Sequence, residues 1–135
     1  MKKETLLNSS MLILRLILGG ILLVHGAQKL FGMFGGVGID GTTKIVESLG
    51  FGLPNILAIV WASIEFFGGL FLVLGILVRA AALMLVLVLL VGFWKVSMVY
   101  GTFTYGVEFE YYVLMLGICV PLILVGGGSW SVWDV

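Results

Sequence analysis

The run from Pro54 to Val78, PNILAIVWASIEFFGGLFLVLGILV, constrains this chain more than any other stretch, because it holds one carboxylate, Glu65, inside an otherwise apolar segment. As a helix rising about 1.5 Å per residue it is roughly 37 Å long, enough to cross a hydrocarbon core of about 30 Å with some tilt. Glu65 lies eleven residues from Pro54 and thirteen from Val78. In a bilayer it therefore sits near the midplane, where an ionised group costs about 3 kcal/mol or more. Such a residue calls for a partner on a neighbouring helix.

The remainder of the chain is apolar enough to supply those neighbours. Hydrophobic residues make up 61% of it, charged residues 10%, and the mean hydropathy is +1.26, far outside the soluble range. The expected class is an all-α integral membrane protein, an antiparallel four-helix transmembrane bundle forming one domain over residues 1–135. A formal net charge of zero leaves no basic face for nucleic acid. The single cysteine, Cys119, excludes an internal disulfide or a CxxC redox pair. Lys2-Lys3 ahead of an apolar run has the outline of a secretory leader, but Arg15 interrupts the run and argues against that reading.

In chain order, residues 1–10 read as a polar start in which Asn8, Ser9 or Ser10 caps the first helix. The expected spans are about 11–30, 54–78, 80–100 and 111–125. Between the first two, residues 31–53 are glycine-rich and carry Asp40, Lys44 and Glu47, with a short helix expected from Thr42 to Leu49. Pro54 opens the second span, where its missing N–H does no harm. The break between the second and third spans falls near Arg79, which makes an antiparallel hairpin. Residues 101–110, with Glu108 and Glu110, form a loop, and Pro121 should kink the last span. Trp94, Tyr100, Tyr105, Tyr111, Tyr112, Trp130 and Trp133 gather towards span ends, as interface belts do. Lys2, Lys3, Arg15 and Arg79 fall on one side and Lys29, Lys44 and Lys95 on the other, which favours cytoplasmic N- and C-termini in the inner (plasma) membrane.

Arg15, Gly19, Leu22, Gly26 and Lys29 share one face of the first span, with His25 beside it. Glu65 shares its face with Trp61, Ala58, Ala62, Gly68 and Gly69. Two stripes of small residues can meet closely. Counting helical rise between antiparallel spans places Glu65 between Arg15 and His25, roughly 7–8 Å from each along the axis. The candidate ligand-binding residues are accordingly Arg15, His25, Lys29, Trp61, Glu65 and Trp94. The structural alternative is an ion pair that fixes helix register without any ligand. A haem or metal site is not supported, because His25 is the only histidine. Cys119 reads as a small buried hydrophobe.

The segment IEFFGGLFLVLGILVRAAAL, with Glu65, Gly68-Gly69, Gly75 and Arg79, follows Arg15, the HGAQKL segment, Gly50 and Pro54 in an order that resembles the DoxX family of small four-span bacterial membrane proteins. Glu110-Tyr111 resembles the acidic start of that family's last span. The chain departs from the pattern at Lys95, where relatives often carry histidine, and in its tail. There Gly127 replaces a proline, Ser131 is in place, Trp133 occupies the acidic position and Asp134 comes one residue late. The resemblance implies a membrane subunit of an oxidoreductase system, linked in some relatives to quinone, and does not imply that this chain catalyses a reaction alone. A soluble or membrane redox partner and a homo-oligomer would fit that role. A small-solute or proton transporter and a non-catalytic membrane scaffold stand as alternatives.

Overall fold

The computed structural model describes residues 2–101 and 109–128, with backbone only at Tyr100 and Phe109. Expectations for Tyr105, Glu108, Trp130, Ser131, Trp133 and Asp134, and for the side chain of Tyr100, lie outside the described residues. Every element described is a helix: α1 Lys3–Phe31, α2 Gly38–Ser48, α3 Pro54–Leu74, α4 Val78–Tyr100 and α5 Phe109–Val125. Of these, α1, α3 and α4 are long and apolar enough to cross a membrane. The 17 residues of α5 rise only about 25 Å.

Several boundaries differ from the sequence expectation, each for a local reason. α1 starts at Lys3 because Ser9 and Ser10 do not cap it; their hydroxyls donate to the carbonyls of Thr5 and Leu6 one turn earlier, inside the helix. α2 likewise begins at Gly38, and Thr43 bonds back to Ile39 instead of capping. α3 stops at Leu74 rather than Val78. Gly75 takes a left-handed φ of 77°, and the N–H groups of Gly75 and Ile76 both close on the Phe71 carbonyl. The turn to α4 is thus Gly75–Leu77, and Arg79 falls in the first turn of α4. α5 continues through Pro121 to Val125.

The helices pack through contacts that also give their directions. A Cβ built on Gly19 would lie 2.7 Å from the Gly69 carbonyl oxygen, and one on Gly26 would lie 2.4 Å from the backbone of Phe66. Later residues of α1 therefore meet earlier residues of α3, and the two helices run antiparallel with backbones nearly touching. Gly68 of α3 meets Leu85 of α4, Arg79 of α4 reaches the Val125 carbonyl of α5, and His25 of α1 meets Tyr111 of α5. Leu18, Leu22, Leu72, Leu85 and Leu122 fill the interior between them.

Arg15, only 1% exposed, closes one end of this packing. Its Nε donates to the Leu72 carbonyl at 3.0 Å and its Nη1 to the Gly127 carbonyl at 2.8 Å. Leu72 lies in the last turn of α3, where carbonyls lack helical partners, so a guanidinium there satisfies an acceptor and opposes the negative end of the helix dipole. At the opposite end, α2 packs on the end of α1. The buried Thr42 hydroxyl lies 2.8 Å from the Gly38 carbonyl and 3.1 Å from that of Lys29.

Candidate functional site

The α1–α3 seam decides which polar groups meet. Because Gly26 sits against Phe66 and Gly19 against Gly69, Glu65 comes level with the last two turns of α1. Lys29 Nζ donates to both carboxylate oxygens of Glu65, at 2.7 and 2.8 Å. Trp61, one turn before Glu65 on the same face, donates its indole N–H to Oε1 at 2.8 Å. The Lys29 ammonium also lies 3.9 Å from the Trp61 ring centroid, a cation–π contact. Glu65 is 3% exposed at its side chain and Lys29 20%, so the carboxylate is enclosed while the ammonium borders open space.

Glu65 thus faces neither Arg15 nor His25, contrary to the axial count. That count assumed the first two spans to be flush where they are joined. α2 sits on the end of α1 instead, and the first turns of α3 rise past that end to pack beside α2. The register slips by one to two turns, and Lys29 replaces Arg15 and His25 as the partner.

His25 turns towards α5, where its Nδ1 lies 3.0 Å from the Tyr111 hydroxyl, with the rings tilted at 31° and their centroids 5.5 Å apart. Tyr111 makes an edge contact with Tyr112, which in turn packs against Phe93 of α4. His25, Tyr111, Tyr112 and the Lys29–Glu65–Trp61 cluster face one chamber of about 330 Å³, walled on its α4 side by Val88, Leu89 and Gly92. Polar atoms line the α1, α3 and α5 sides, and apolar ones line the α4 side. Side chains that can donate to a small polar head here include Gln28, Lys29, Tyr111 and Tyr112, with the imidazole in either role according to its tautomer.

Four of the six sequence candidates, His25, Lys29, Trp61 and Glu65, meet at this chamber. Arg15 does not, being held by carbonyls at the ends of α3 and α5. Trp94 is 56% exposed, and the Lys95 ammonium lies 4.9 Å from its ring. Tyr111 and Tyr112, expected among the interface aromatics, both line the chamber. What places them there is the start of α5 lying beside the end of α1, which the sequence alone does not show. Among the described residues no three His, Cys, Asp or Glu side chains come together as a metal ion would require.

Long apolar helices packed around a carboxylate, an ammonium and an imidazole define a polytopic membrane protein with a polar interior. The DoxX family model matches residues 10–98, and the chain belongs to the DoxX family. A Bacillus subtilis (strain 168) protein named "Putative oxidoreductase CatD" is 33% identical over 111 residues, which cover 82% of this chain and 76% of that protein. No solved structure matches.

Proposed function

We propose that this chain is the membrane-embedded subunit of an oxidoreductase system, and that its chamber holds the head of a quinone-like amphipathic molecule. The observation that carries the reading is the convergence of Lys29–Glu65–Trp61 and His25–Tyr111 on one partly apolar cavity of about 330 Å³. A cavity of this size with few oriented polar groups has the build of a small-molecule site. A ring bearing carbonyl oxygens fits it: the Lys29 and Tyr111 donors address the oxygens, and the flanking aromatics pack against the ring. Glu65 holds Lys29 in place and can pass a proton with it. The name of the Bacillus relative supports the redox half of the proposal, and a separate protein supplies the electrons.

Titrating the purified protein with a short-chain quinone tests the reading. Saturable binding is expected, weakened about tenfold or more by His25→Ala, Tyr111→Phe or Glu65→Gln in variants that keep their fold. Absence of saturable binding, or affinity unchanged in all three, removes the site. A plain scaffold predicts the former outcome, and a proton-coupled transporter would instead give a pH-driven flux in liposomes.

The same reading takes α5 as a fourth span. With α1, α3 and α4 it forms an antiparallel four-helix transmembrane bundle in the plasma membrane, its short length met by local thinning of the bilayer. Arg15 and Arg79 lie at the end where α3 and α5 finish, while Lys95 reaches Phe51 near the start of α3, 5.1 Å from its ring. The charge distribution supports cytoplasmic termini. Cysteines introduced as Ser9→Cys and Ser131→Cys in a Cys119→Ser background are expected to resist a membrane-impermeant maleimide in intact cells. Labelling of both would invert the topology, and labelling of only one would mean an odd number of spans.

A further inference from the structure

The chamber is not the end of the cavity system. A second, apolar cavity of about 220 Å³ lies along the α3–α4 seam and shares Trp61, Val88 and Gly92 with the chamber. A third, of about 340 Å³, continues the same seam and shares Ile64 and Met84 with the second. Between Gly92 and Ala80 this path covers twelve residues of α4, or about 18 Å. Its walls include Val60, Leu87 and Val91, each roughly half exposed on the outer surface of the helices. The opposite seam, between α1 and α3, is shut by backbone contact at Gly26 and Gly19. Gly92 borders both cavities and, having no side chain, adds nothing to the wall between them. Val46 and Leu49, both buried, stand at the α2 end of the groove and shield it there with apolar side chains.

We infer that the α3–α4 groove is the tail-binding half of the site: the ligand is a long-tailed amphiphile that enters sideways from the bilayer, head into the chamber and hydrocarbon chain along the groove. The inference rests on the head-binding role proposed above for the chamber. A head held by Lys29 and Tyr111 must send its tail out where the wall is apolar and open, at Trp61 and Gly92. Lipid chains compete for the groove on equal hydrophobic terms. What favours the ligand's own tail is tethering, since a bound head keeps the chain at high effective concentration beside the groove.

A benzoquinone ring carrying a ten-carbon tail with a terminal diazirine, photolysed with the protein in lipid nanodiscs and mapped by mass spectrometry, tests this. Label is expected to be at least about tenfold denser on residues 57–64 and 84–91 than on the outer faces of α1 and α5, and excess tail-less ring should suppress it. Leu87→Trp or Val60→Trp, each filling the groove from an exposed position, should move the label elsewhere. Label spread evenly over all helices, while the tail-less ring still binds saturably, overturns the tail site and leaves the head site standing. Even label with no saturable binding of either probe overturns both.

Discussion

Lys29→Met is expected to destabilise the protein by about 2–4 kcal/mol, because it strips the buried Glu65 carboxylate of its counter-charge and leaves it only the Trp61 N–H. The value is set somewhat below the usual cost of breaking a buried pair, since Lys29 is 20% exposed at its side chain. Lys29→Met combined with Glu65→Leu should recover most of that loss, as apolar replacement of a whole buried pair is often near neutral. Thermal unfolding of the wild type, both single variants and the double variant in one detergent gives the coupling directly. If the double variant is no more stable than Lys29→Met, the pair is not what makes the single substitution costly. The same double variant, if stable, also checks the proposed ligand role, which predicts loss of short-chain quinone binding.

Gly26→Leu carries the largest expected effect. A Cβ at this position would fall 2.4 Å from the Cα and N of Phe66, and these are backbone atoms that cannot turn aside. Only separation of α1 from α3 relieves the clash, and separation also pulls Lys29 from Glu65. A loss above about 3 kcal/mol is expected, beyond ordinary overpacking where a side chain can give way. Gly20→Leu is the control, because a Cβ there meets nothing within 4 Å. Measured as the yield of monodisperse protein and its melting temperature, Gly26→Leu should fall far below Gly20→Leu. Equal behaviour would mean that the α1–α3 contact is looser than described.

The fold was readable in the sequence where local chemistry and hydropathy agree. Pro54 opens α3, an apolar run fills it, and Glu65 points inward on a face of small residues, as its position implied. Helix ends governed by backbone geometry were less readable: nothing in the composition near Val78 announces that Gly75 will take a left-handed turn and stop α3 four residues early. The site was half legible. Spacing on one helix linked Trp61 to Glu65 and His25 to Lys29, since residues four apart share a face. Which member of the second pair meets Glu65 depends on the axial offset between two helices. That offset is set by Gly19, Gly26 and Gly69 packing against backbone, and by α2 resting on α1, and no periodicity within one helix encodes it. Tyr111 was hidden for a related reason, because an aromatic at a helix end has the same sequence signature whether it faces lipid headgroups or a chamber.

The order of the charges along the chain has a consequence for how the protein is made. Synthesis runs from the N-terminus, so α1 with Lys29 leaves the ribosome before α3 brings Glu65. A lysine near a helix end can wait with its ammonium at the membrane surface, whereas a carboxylate at the centre of a span has no such refuge. When α3 arrives, its partner is already in the membrane and the glycine seam is ready to receive it, so Glu65 need never stand alone among the lipid chains. Reversing the two residues would place the stranded charge first, and biogenesis rather than the finished fold would bear the cost.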